Sequence, residues 1–180
     1  RETFLVRDGD ATTKPPYEFD MDFPKPFVPR YLTLGVSERI DCDGNVYLPL
    51  NEEELMKNVD ILAGCNVEAI AICFLWSIQN PVHELRAKDL IKAKYPEMEV
   101  AVSCETNPCI REYRRWISAV LDASLKKLVS AYVDNLNKKL KAEGLQNEIG
   151  MLNAYGGIMS CDEIIKRPLF SIDSGPSVAP

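Results

Sequence analysis

The chain has a single histidine, His83, in 180 residues. Any Ser–His or Cys–His catalytic pair would have to use it. Six cysteines are present, but none stands in a CxxC pair and only one histidine could join them, which argues against zinc. There is no P-loop, no GxGxxG and no HExxH. No apolar run approaches the roughly 20 residues that a membrane helix needs. The net charge of −6 gives no general attraction for nucleic acid or an anionic membrane. No signal sequence is visible either, so the expected compartment is the cytoplasm, with reduced, structural cysteines. Neither nucleic acid nor membrane is an expected partner.

What is present is enough for a packed core. Apolar residues make up 46% of the chain, and the length fits one domain plus an appendage. Residues 1–35 hold five prolines (Pro15, Pro16, Pro24, Pro26, Pro29) among Tyr17, Phe19, Phe23 and Phe27. Prolines at this density remove backbone donors and favour extended chain, so this stretch reads as a connection. Residues 36–180 read as an α/β domain. The chain opens on Arg1 and closes on the small-residue stretch after Ser174, which suggests an internal piece of a larger enzyme.

The pattern within 36–180 alternates strands and capped helices. Val36–Ile40 and Val46–Leu50 flank Asp43-Gly44, a hairpin signal. Asn51 and Glu54 form a capping-box-like start for a helix that ends at Gly64. The run from Val67 to Leu75 is apolar on both faces, as a central parallel strand would be. Asn80-Pro81 is expected to cap a second helix that Pro96 stops. Val100–Cys104 then forms the next strand of a β-α-β unit. From Glu112 to about Glu143 runs one long amphipathic helix. Its expected core stripe includes Trp116, Leu121, Leu125, Leu128 and Tyr132, with Asp122 and Lys126 on the wet side. Ile149–Asn153, a helix over Ser160–Lys166 and a strand over Leu169–Ile172 complete the order. The expected fold is a mostly parallel sheet flanked by helices.

No complete catalytic constellation appears. Arg111, Arg114 and Arg115 crowd the start of the long helix, where positive charge opposes the macrodipole. Either carboxylates such as Glu105 and Glu112 pair with them, or an anion sits among them. His83 lies in the first turn of a helix, just beyond a strand end, where α/β proteins hold ligands and where the helix dipole favours neutral imidazole. Asn153, Gly156 and Gly157 follow another strand, and Ser174-Gly175 forms a similar small-residue turn; both can let backbone approach a ligand. These nine residues are the candidates for binding an anion or substrate. No metal ligands are assigned.

Several segments, in order, carry a resemblance. They are Phe27-Val28-Pro29-Arg30, Val36-Ser37-Glu38-Arg39-Ile40, Pro49-Leu50-Asn51-Glu52-Glu53 and Glu68 through Leu75. They continue with Asn80-Pro81-Val82-His83-Glu84, Arg111-Glu112-Tyr113-Arg114-Arg115, Asn153-Ala154-Tyr155-Gly156-Gly157 and Ser174-Gly175-Pro176. From about Pro24 onward the chain resembles the hydantoinase/oxoprolinase family. That family includes ATP-dependent N-methylhydantoinases, 5-oxoprolinases and the ATP-handling subunits of acetone and acetophenone carboxylases. The resemblance implies part of an actin-like (ribonuclease H-like) ATPase fold. It also implies activation of an amide or enolate oxygen by phosphorylation, with ATP and Mg²⁺ bound by the full-length enzyme. The expected partners are other domains of the same chain and other subunits. Catalytic residues would lie outside this piece, leaving it inactive alone. The alternative is a non-catalytic module for subunit interaction.

Overall fold

A computed structural model describes residues 26–178. The chain divides into two compact units, Arg1–Gly35 and Val36–Pro180. Most of the expected Pro-rich connection falls outside the described residues. The described part of the first unit contains a 3-10 turn, Arg30–Leu32.

The second unit opens with the expected hairpin, β1 (Arg39–Ile40) and β2 (Val46–Leu48). Asp41 organises its turn by accepting from the backbone N–H of Asp43 and Asn45 and from Asn45 Nδ2. Helix α1 (Glu52–Gly64) begins where Asn51 Oδ1 accepts from Glu54 N. The expected reciprocal bond goes elsewhere: Glu54 Oε2 takes the N–H of Ser37 at 2.7 Å and fastens the segment before β1 to the helix.

The centre of this unit is a β-α-β element. Strand β3 (Ala69–Ile72) pairs in parallel with β4 (Glu99–Val102), and α2 (Val82–Lys94) connects them. Alternation along each strand sends Ile70, Ile72, Val100 and Val102 to one face. There they form a buried cluster with Leu55 and Val59 of α1 and Ala87 and Ile91 of α2. The opposite face carries Ala69, Ala71 and Ala101, and helix α4 (Glu112–Ala142) packs across it. Its contact residues Ala119 and Ala123 are equally small and buried, so helix and sheet approach closely. A short helix, α3 (Ser103–Thr106), separates β4 from α4. A second hairpin, β5 (Gly150–Leu152) and β6 (Ile158–Ser160), leads into α5 (Cys161–Lys166).

Four expectations need correction. Among the described residues the strands form three two-stranded ladders, and only β3–β4 is parallel; β3 is apolar on both faces because helices cover both. Leu169–Ile172 is not a strand. Pro168 opens a 3-10 turn over Pro168–Ser171, and the Leu169 N–H that a ladder would use goes to Asp122. Helix α2 begins at Val82 after Pro81; Asn80 caps only Val82 N and uses its Nδ2 to bind Gly44 O. The buried stripe of α4 is also rotated from the expected one. It runs through Arg115, Ala119, Asp122, Ala123 and Val133, of which only Val133 belongs to the expected stripe, while Leu128 is 68% exposed and Tyr132 is exposed as well. Small side chains, not the largest apolar ones, fit against the alanine face.

Candidate functional site

The carboxyl ends of β3 and β4 converge on a buried polar network. Glu84 lies in the first turn of α2, spaced three and seven residues before Ala87 and Ile91, and so faces the core. It has no solvent exposure. Its Oε1 accepts from Phe74 N at 2.7 Å and Ser103 Oγ at 2.6 Å, and its Oε2 accepts from Cys104 N at 2.8 Å. The carboxylate thus fastens the exits of both strands to α2.

Arg115 completes the network from α4. Its Nε donates to Ser103 Oγ at 3.1 Å, Nη1 to Cys109 O at 3.1 Å and Nη2 to Phe74 O at 2.9 Å. Ser103 gives its one proton to Glu84, so Ser77, 3.3 Å away, is the donor in the Ser77–Ser103 contact. The positive charge near the start of α4 is therefore met by carbonyl and hydroxyl oxygens. Glu105, one of the carboxylates expected there, pairs instead with Lys88 at 2.6 Å. Burial pushes the Cys73 and Cys104 thiols well above their ordinary value, and the Glu84 charge adds to it in both. Both are poor nucleophiles where they sit.

His83 precedes Glu84 and has its own partner. Its Nδ1 lies 2.8 Å from Glu38 Oε2, and both side chains are more than nine-tenths buried. This pair ties the segment before β1 to α2. The tip of the first hairpin reaches the same end of α2 through Asn80 and Gly44.

The remaining candidates lie apart from this network. Arg111 and Arg114 are exposed. Arg111 precedes α4 with φ at +80°, a strained conformation for a side-chain-bearing residue. Asn153, Gly156 and Gly157 share one turn. Asn153 Oδ1 accepts from Tyr155 N and Gly157 N, and Gly156 sits at φ +79°. That turn meets the Ser174 region: Ser177 Oγ bonds to the carbonyls of Asn153 and Ser174. A Cβ on Gly156 would come within 3.3 Å of Ser177 O, so a side chain there would be crowded as well as strained by the positive φ. Gly175 is exposed.

A charged cleft of about 630 Å³ runs beside β4, lined by Lys88, Glu99, Glu105, Lys126, Lys166 and Arg167 among others. Sequence reasoning missed Glu84, Ser103, Glu38 and Asp122. Only Glu84 left a signal, a carboxylate at helical spacing with core positions. Among the described residues, no group of three or more His, Cys, Asp or Glu side chains could hold a metal ion. No described helix is long and apolar enough to cross a membrane.

Comparison with known proteins adds what the geometry alone does not. Residues 5–95 match the hydantoinase/oxoprolinase N-terminal region, and residues 115–179 match the hydantoinase/oxoprolinase domain that follows. An uncharacterised protein of Methanocaldococcus jannaschii is 38% identical over 89% of the chain, which covers 24% of that protein. The acetophenone carboxylase gamma subunit of Aromatoleum aromaticum is 36% identical over 87% of the chain and 22% of its own length. The crystal structure of ATP-dependent caprolactamase from Pseudomonas jessenii superposes with a TM-score of 0.85 at 30% identity, covering 98% of this chain and 26% of that one. The chain thus spans about a quarter of the length of these relatives.

Proposed function

This chain belongs to the hydantoinase/oxoprolinase family, and on that premise we propose that it is the internal part of an ATP-dependent hydrolase or carboxylase. The observation that carries the reading is the order of the two family matches along one chain, together with relatives that include a caprolactamase and a carboxylase subunit. In the full-length enzyme, ATP with Mg²⁺ supplies the phosphoryl group that activates an amide or enolate oxygen. We assign the nucleotide and its metal to parts of an actin-like fold outside these 180 residues. The 180-residue chain alone is then inactive.

What this piece contributes is a rigid wall and exposed cations. The Glu84–Ser103–Arg115 network fixes the carboxyl ends of β3 and β4. Arg111 and Arg114, exposed at the start of α4, are proposed to meet anionic substrate groups or a neighbouring domain. The turn of Asn153, Gly156 and Gly157, with the adjoining Ser174-Gly175 segment, is proposed as a second approach for ligand. We assign residues 36–180 to one α/β domain and residues 1–35 to its connection. Other domains of the same polypeptide and other subunits are the proposed partners, in the cytoplasm.

The test is ATP consumption by the full-length polypeptide, challenged in turn with lactams, hydantoins and ketones plus bicarbonate. Substrate-dependent ATP hydrolysis is expected, and Arg114→Gln should reduce it without lowering the melting temperature. ATP consumption with none of these classes would leave the alternative, a non-catalytic module for subunit interaction.

A further inference from the structure

We propose that Glu38 and His83 form an oriented proton-accepting pair, with His83 Nε2 as the group that takes a proton from a substrate N–H or from water. The role deepens the amide- or ketone-directed reading above and rests on it.

The argument begins with the two ring nitrogens. Glu38 Oε2 lies 2.8 Å from Nδ1. An ionised carboxylate can only accept, so Nδ1 carries a proton. In neutral imidazole Nε2 is then the lone-pair nitrogen. Among the described residues Nε2 has no hydrogen-bond partner, and it is not one of the fully buried unpaired atoms, so a small part of its surface is left uncovered by them. A histidine used only to fasten two segments can engage both nitrogens. Here one is held by a carboxylate and the other has no partner among the described residues.

The setting suits a base. The His83 side chain is 8% exposed, so its position is fixed by packing. It sits in the first turn of α2, next to the network that fixes the ends of β3 and β4, where α/β folds hold ligands. Glu84, the next residue, is fully engaged by Phe74, Ser103 and Cys104. Arg86, one turn on, is paired with Glu52. Glu38 is the charged group bonded to the ring. In the proposed step a donor O–H or N–H bond breaks as Nε2–H forms. Glu38 balances the imidazolium until that proton passes to a leaving group or to solvent. An orienting carboxylate both fixes the tautomer and stabilises the charged ring.

Two measurements test this. Because His83 is the sole histidine, ¹⁵N-histidine labelling of the chain gives one imidazole spectrum. The expected result is the Nδ1–H tautomer with Nε2 unprotonated, lost in Glu38→Ala. An Nε2–H tautomer would overturn the proposal. In the full-length enzyme, His83→Ala should lower turnover by about 10²–10⁴-fold, and added imidazole should restore part of it. Unchanged turnover, or loss that imidazole cannot rescue while His83→Gln retains activity, would also overturn it. The tautomer needs no substrate, so its result separates failure of this assignment from failure of the functional reading.

Discussion

The Glu84 carboxylate and the Arg115 guanidinium share one hydroxyl. Ser103 Oγ donates to Glu84 at 2.6 Å and accepts from Arg115 at 3.1 Å. They also share Phe74, whose N–H serves Glu84 and whose carbonyl serves Arg115. Two opposite charges that are almost fully buried are thus joined through neutral groups. Each bond satisfies a desolvated atom, which is the condition for charge to be tolerated in a core.

Removing that hydroxyl should therefore cost more than a surface bond would. Ser103→Ala leaves Arg115 Nε without its acceptor and Glu84 with one donor fewer. The expected loss is about 1–3 kcal/mol, the penalty for unmet buried polar groups. Chemical denaturation of the chain measures it. A loss no larger than that of an exposed serine, such as Ser124→Ala, would mean that water replaces the hydroxyl.

Ile91 of α2 and Leu128 of α4 make a second, contrasting pair. Ile91 is fully buried against β3 and β4, so Ile91→Ala should cost about 2–5 kcal/mol. Leu128 is largely exposed, so Leu128→Ala should stay within about 0.5 kcal/mol. Denaturation midpoints of the two variants check this directly. A large loss at Leu128 would restore the stripe expected from apolar spacing.

That stripe shows where sequence reading stops. The extent of α4, expected as 112–143 and found as Glu112–Ala142, was legible because helical spacing and Gly144 mark it locally. The Asn51 cap and the Asp41–Asn45 turn were legible for the same reason. Which side of α4 is buried was not, because it depends on Ala69, Ala71 and Ala101 across the interface. Bulk alone would favour Leu121 and Leu128. His83 appeared isolated because Glu38 lies 45 residues away in sequence. Asp122 was assigned to the wet side because nothing local shows that Leu169, 47 residues on, needs its oxygen.

Asp122 also sets a pH dependence whose sign can be worked out. Its Oδ1 accepts from Leu169 N at 3.1 Å, while Lys126 Nζ stands 3.3 Å from Oδ2 without hydrogen-bond alignment. Burial pushes the carboxyl above the ordinary carboxylate value of 3.8, and Lys126 and Leu169 oppose the shift only in part. A raised folded value means that its contribution to stability is complete below the unfolded value. That contribution is lost as pH rises through the folded one. At neutral pH the ionised carboxylate is therefore a cost. Asp122→Asn keeps an acceptor for Leu169 and removes the charge. The variant should be the more stable protein at pH 7, and its advantage should shrink as acid protonates wild-type Asp122. Hydrogen bonds to charged or backbone partners hold Asp41, Glu52, Glu54, Asp60 and Glu163 below their ordinary values. Their losses in acid are common to both proteins and cancel in the difference. Denaturation of the pair from neutral pH to about pH 4 measures that difference. A constant gap would mean that Asp122 titrates as an ordinary carboxylate. A less stable variant at pH 7 would mean that attraction to Lys126 outweighs burial.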